Sequence, residues 1–303
     1  MIQAELKTDW HFRTIGLGTV NYRAASKRLA KEAKSTSLFK TSIGYDEKIL
    51  KISSAKFWND HETVLKARTP GFGWYIWKPE FIKMCLANIP VGHGLMYCDA
   101  GNYISTKKSD LELLSSYLNL ASDQNIVASN DQNFVEEQYS SADLMNLLLL
   151  DSKDRKSNQF MAGFLLITNT PEGINFANSW STLACINDHN YLIPKSNVSD
   201  IKGFDTHRHD QAILSCLLKR NSKISVKIGD KINDGCIRAV RHRFGYRFKN
   251  PNFVSMVFYK TIAIISRFRL AVERRIFKNA LYLRPNFHLT YKIEFIENQN
   301  NEY

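Results

Sequence analysis

No long apolar run, no disulfide framework and no internal repeat marks these 303 residues, and each absence excludes something. Met1 to Arg13 scatters Glu5, Lys7, Asp9 and Arg13 among its apolar residues. That is not the basic, apolar, small-residue order of a signal peptide, so a cytoplasmic chain is expected. Cysteines number 5, an odd count. Cys85, Cys98, Cys185, Cys216 and Cys236 are widely separated and mostly set in apolar runs, which predicts reduced, buried thiols instead of bridges or a CxxC metal site. Acidic residues fall short of basic ones, 29 against 41, for a net charge of +12. The deficit is concentrated. From Arg238 through Arg241, Arg243, Arg247 and Lys249 to Lys260, Arg267, Arg269, Arg274, Arg275, Lys278 and Arg284, the only opposing residue is Glu273.

What is present excludes disorder. An apolar fraction of 44%, with Phe, Tyr and Trp spread along the chain, is enough for a substantial core, and the length suits one large α/β domain or one with an appendage. Strands are expected at Phe12 to Leu17, Leu38 to Tyr45, Gly94 to Cys98, Asn125 to Ser129, Phe160 to Thr168 and Ile224 to Ile228. Helices are expected at Tyr22 to Lys34, Lys48 to Arg68, Pro79 to Ala87, Leu111 to Leu120, Ala142 to Leu150, Ile174 to Ala184 and Asp210 to Leu218. A break falls at Pro70-Gly71-Phe72-Gly73 and a polar loop at Ser196 to Asp205. Such alternation predicts a mainly parallel, Rossmann-like sheet with helices on both faces. The division expected is a catalytic domain over 1–236 and a basic C-terminal region over 237–303.

Four segments carry chemistry. Tyr97-Cys98-Asp99-Ala100-Gly101 puts a carboxylate just past a buried strand, where open α/β sheets present ligand groups; the other reading is an Asp capping a turn before Asn102. Small residues at Ala162 and Gly163 would let a bulky ligand approach the backbone at the start of a core strand, and Gly16 and Gly18 at the first strand's end either let a nucleotide approach or form a plain turn. His207-Arg208-His209-Asp210-Gln211 crowds four ionisable groups and an amide at a helix start, more than capping needs. Gly73-Trp74-Tyr75-Ile76-Trp77-Lys78-Pro79 sets aromatic faces for a sugar or base ring beside a lysine suited to a diphosphate, or else forms a Trp-rich core plug.

Together these segments resemble nucleotide-sugar glycosyltransferases of the GT-A fold, in an order similar to glycosyltransferase families 8 and 32. The Trp-x-x-Trp-Lys-Pro stretch, the Asp-Ala-Gly turn and the His-Arg-x-Asp-Gln element resemble bacterial glycosyltransferases of capsule and lipopolysaccharide synthesis. The resemblance runs from Phe12 to Leu218 and implies a nucleotide-sugar donor with a glycan or lipid-linked glycan acceptor. It makes Asp99 the first Asp of an Asp-x-Asp motif that holds a divalent metal, Mn or Mg, and the donor diphosphate. Gly101 stands in place of the second Asp, which puts metal dependence in doubt. Ala162 and Gly163 match the turn facing the donor sugar, with Met161 in place of the usual Asn. Asp210 and Gln211 match the pair beside the anomeric carbon in retaining enzymes. Gly16, Trp77, Lys78, Gly101, His207 and Arg208 join the expected donor site. His242 and Lys249 loosely match a late His-x-x-Gly-x-x-Lys-Pro element.

Phe253 to Phe277 is apolar but interrupted by Lys260, too short an uncharged run to span a bilayer. At helical spacing Lys260, Arg267, Arg274 and Lys278 share a side, and Arg269 breaks the pattern. A helix lying on an anionic membrane surface accounts for this, placing the enzyme on the inner face of the cytoplasmic membrane. A helix packed on the catalytic domain with a solvated basic edge is the alternative. Nucleic-acid binding through the arginines is a rival that leaves Asp99 and His207 to Gln211 without purpose, so no nucleic-acid partner is expected. A non-catalytic partner subunit is another, and Gly101 is its best support.

Overall fold

The computed structural model describes residues 5–67, 70–193, 203–221, 225–228 and 235–238. Most of the polar loop expected from Ser196, and the basic region beyond Arg238 with His242 and Lys249, lie outside the described residues. In chain order the elements are β1 (Trp10–Gly16), α1 (Val20–Ser35), β2 (Thr41–Asp46), α2 (Lys48–Ser53), α3 (Ala55–Asp60), α4 (Glu62–Ala67), the turn α5 (Pro70–Trp74) and α6 (Trp77–Ala87). There follow β3 (Gly94–Cys98), β4 (Tyr103–Ile104), α7 (Lys108–Gln124), β5 (Ile126–Val135), α8 (Glu136–Tyr139), α9 (Ala142–Leu147) and α10 (Ser152–Arg155). The last are β6 (Asn158–Thr168), α11 (Pro171–His189), α12 (His209–Arg220), β7 (Ser225–Ile228) and β8 (Ile237–Arg238).

Six strands form one sheet in the order β2-β1-β3-β6-β5-β7. β6 runs antiparallel to β3 and β5, while the other pairings are parallel. The expected mainly parallel sheet with helices on both faces is the architecture observed. Alternation along the central strands makes the two faces. Leu95 and Tyr97 of β3 and Leu165 and Ile167 of β6 pack with α6, α11 and α12, whereas Met96, Cys98, Phe164 and Leu166 pack with α1 and α7.

Several expectations change in detail. The helix expected over Lys48 to Arg68 is three short ones, because Ser54 (ψ 48) and His61 (ψ 14) leave helical geometry. The break at Pro70 is a left-handed turn: φ is positive at Gly71, Phe72, Gly73, Trp74 and Tyr75. The boundary expected at 236/237 falls at β8, whose Ile237 is buried and which pairs with β4 just beyond Asp99. The cysteines are free, with Cys185 half-buried and the others buried. No described helix is long and apolar enough to cross a membrane.

The site lies at the carboxyl ends of β1 and β3. β1 is flanked by β2 on one side and β3 on the other, the reversal of strand order beside which open α/β sheets place ligands. Because β6 is reversed, its early residues reach this same edge, where Cys98 pairs with Phe164.

Candidate active site

Lys78, in the first turn of α6, is the centre of the site. Its side chain is 2% exposed, and Nζ stands 3.2 Å from Asp99 Oδ1 and 2.9 Å from Asp210 Oδ2. The Asp210 contact is a buried ion pair. Ala162 O accepts from Nζ at 3.3 Å. The rings of Tyr75, Trp77 and Tyr97 lie 5.0 to 5.9 Å from Nζ, close enough for cation–π attraction. Residues 78, 99, 162 and 210, from four separate elements or turns, therefore meet around one ammonium.

Electrostatics follows from that burial. Desolvation alone lowers a lysine, but the carboxylates of Asp210 and Asp99 outweigh it and hold Lys78 above the usual lysine range. Asp210 is buried, and the loss of water raises it to about 6 despite the ammonium beside it. Burial, then the Asp99 charge, raises the Tyr97 hydroxyl. Tyr97 thus stays a donor, giving Asp99 Oδ1 a hydrogen bond of 2.6 Å.

Asp99 is held from three sides yet remains accessible, its side chain 38% exposed. Its backbone N–H donates to Gly163 O at 3.0 Å, and Asn102 Nδ2 donates to the same oxygen at 2.9 Å. A Cβ at Gly163 would stand 3.2 Å from Asp99 Oδ2, so glycine here makes room for the carboxylate. Below the turn, Arg28 of α1 donates to Ala100 O and Asn102 O at 3.0 and 2.9 Å and pairs with Glu32 at 2.8 Å. Glu32 in turn accepts from Ile104 N. This buried clamp was not read from the sequence; Arg28 and Glu32 at i, i+4 on α1 were its only signal.

Other expected donor residues take different parts. Gly16 is filled by protein: an added Cβ would stand 2.0 Å from Tyr22 O, so its smallness lets α1 close on β1 instead of admitting a nucleotide. Trp77 is buried, its Nε1 donating to Gly71 O at 2.8 Å and closing the left-handed turn. Lys78 is not presented to an incoming diphosphate, because its ammonium is buried between carboxylates. His207 uses both ring nitrogens on the backbone, Nδ1 accepting from Ser141 N at 3.1 Å and Nε2 donating to Tyr191 O at 3.0 Å. That fixes a neutral tautomer, and burial drives its pKa down to about 3. Arg208 lays its guanidinium 3.5 Å over the Phe134 ring. Gly101 follows Asp99 in the clamped turn and brings no carboxylate.

Among the described residues no three His, Cys, Asp or Glu groups converge. Asp99, at the expected metal position, already faces an ammonium and a phenol, whereas hard cations gather about six oxygen ligands.

No family model matches this chain, and no curated protein matches it by sequence. Among solved structures, the chain is similar to mouse xyloside xylosyltransferase 1 in its apo form, at 13% identity over 73% of this chain and 85% of that one, with a TM-score of 0.39. It is also similar to the galactosyltransferase LgtC in complex with donor and acceptor sugar analogs, at 17% identity over 72% of each chain, with a TM-score of 0.38. Similarity at this level assigns no activity to this chain.

Proposed function

We propose that this chain is a glycosyltransferase that moves a sugar from a nucleotide-diphosphate donor to a glycan, with retention of anomeric configuration. The observation that carries the reading is the Lys78 ion-pair centre, which brings Asp99 and Asp210 together. Those are the residues that the sequence resemblance assigns to the donor site.

Glycosyl transfer breaks the bond from the anomeric carbon to the diphosphate, leaving positive charge on the sugar and adding negative charge to the leaving group. Asp99, exposed at the rim, accepts hydrogen bonds from donor hydroxyls and fixes the sugar's pose. Asp210 and Gln211 stabilise the cationic sugar through fixed negative potential. Lys78 keeps two carboxylates from repelling one another at close range. Positive charge for the departing diphosphate comes from Arg208; His242 and Lys249, which the sequence resemblance adds for it, lie outside the described residues. The acceptor is a lipid-linked glycan of surface polysaccharide synthesis, met at an anionic membrane by the basic region over 237–303.

The purified chain, incubated with a panel of nucleotide sugars with and without manganese, is expected to release nucleoside diphosphate from at least one of them. No release from any donor, with acceptor glycans present, overturns the proposal. Proton NMR of the first-formed product is expected to show the donor's anomeric configuration; the opposite anomer removes retention.

A further inference from the structure

Ala100 and Gly101, which follow Asp99, carry no side chain that can hydrogen-bond, and glycine leaves its backbone freer than any other residue does. What orders this turn therefore comes from outside it. From β6, Gly163 O accepts both Asp99 N and Asn102 Nδ2. From α1, Arg28 Nη2 donates to Ala100 O and Asn102 O at 3.0 and 2.9 Å, the carbonyls on either side of Gly101, while Nη1 donates to Glu32 Oε1 at 2.8 Å. Glu32 Oε2 accepts from Ile104 N at 3.1 Å. One ion pair on α1 thus fastens the backbone at 100, 102 and 104. The far end of the segment is tied as well, Ile104 pairing with Ile237 and Ser105 N donating to Cys236 O at 2.8 Å.

Stability alone does not account for this pair. The Arg28 and Glu32 side chains are buried, and taking two charges out of water costs about as much as their attraction returns. What the pair supplies is geometry. The donors of a guanidinium are fixed in one plane, so the two carbonyls cannot turn away from each other without losing a bond. Asp99 stands immediately before the first of them.

We propose that Arg28 and Glu32 are positioning residues, which hold the Asp99 carboxylate at the rim of the Lys78 centre through the backbone of the turn that follows it. This rests on the glycosyltransferase reading, in which Asp99 fixes the pose of the donor sugar.

Arg28→Met combined with Glu32→Gln removes both charges together, so that neither is left buried alone, and keeps an amide oxygen for Ile104 N. In an active enzyme this paired variant is expected to lower kcat by about tenfold or more, with the donor KM within about threefold, since a displaced group acts on the transition state more than on binding. In an Asp99→Ala background the same pair of substitutions is expected to change kcat by less than about twofold, because the group being positioned is gone. A general packing defect would lower kcat in both backgrounds. Wild-type kcat in the paired variant, or the same further drop on top of Asp99→Ala, overturns the proposal. Should the paired variant not fold, Arg28→Lys, which keeps the charge and loses the planar fork, is read by the same two outcomes. Wild-type protein inactive on every donor sinks the glycosyltransferase reading. In that case, or where Asp99→Ala turns over too slowly to measure, a crystal structure of the folded variant decides: Asp99 displaced from the Tyr97 hydroxyl supports the clamp, and Asp99 still bonded to it as in the wild-type chain overturns it.

Discussion

A lysine with two carboxylates and almost no water is an unbalanced arrangement, and its imbalance is measurable. Removing the ammonium by Lys78→Met leaves Asp210 buried without its counter-ion. Loss of one partner from a buried ion pair costs roughly 3–5 kcal/mol, and urea unfolding of Lys78→Met at pH 8 is expected to show a loss of this size. At pH 5 the loss shrinks, because Asp210 then carries a proton. Asp210 also makes the wild-type chain pH-dependent in a definite direction. Its folded pKa is raised to about 6 by burial, above the unfolded carboxylate value of about 4. The folded state therefore binds the proton more tightly, and this contribution is complete below about pH 4 and lost as pH rises through about 6. Urea midpoints of wild type measured against Asp210→Asn should converge or cross in that sense between pH 4 and 7; parallel curves would remove Asp210 as the responsible group. The positions of these residues were legible in the sequence, Asp99 by its place after a buried strand and Asp210 by the crowding at a helix start. Their joint dependence on Lys78 was not, since a Trp-Lys-Pro motif does not show what its cation faces.

Elements position the site through close backbone approaches that leave little slack. α1 lies so near β1 that a methyl at Gly16 meets Tyr22 O at 2.0 Å. Gly16→Ala is expected to destabilise the fold by about 1–3 kcal/mol, as overpacking does, seen as a lowered urea midpoint; an unchanged midpoint would show that α1 slides freely on β1. The left-handed turn from Gly71 to Tyr75 is the most unusual element. Its glycines announced a break, but Phe72, Trp74 and Tyr75 seldom take positive φ, and nothing local in the sequence gives the hand of the turn. The Trp77 indole, donating to Gly71 O, closes the turn. Helix and strand order was largely legible from periodicity, and β3 has the bounds expected of it. The partition of residues 48–67 into three helices was not, because each piece is short and the N-cap residues of α2 and α3, Glu47 and Ser54, make no side-chain cap bond.

At the scale of the whole molecule, one reversed strand shapes the site. β6 enters the sheet antiparallel between β3 and β5 and so carries Ala162 and Gly163 to the same edge as Asp99. Sequence alternation predicts a mainly parallel sheet; it does not show that the strand over Phe160 to Thr168 is reversed, since a buried strand reads the same in either direction. The supports under the site were hidden for a related reason. Glu136 with Lys219, and Arg28 with the Asp99 turn, join residues far apart in the chain, and each taken alone reads as an ordinary surface charge. Turnover by Asp99→Ala tests the central claim, that the Lys78 centre is where a donor sugar is held. The account predicts a folded variant whose transfer rate falls by at least about a hundredfold, as loss of a charge-positioning group does, while a folded variant with near-normal turnover would contradict it.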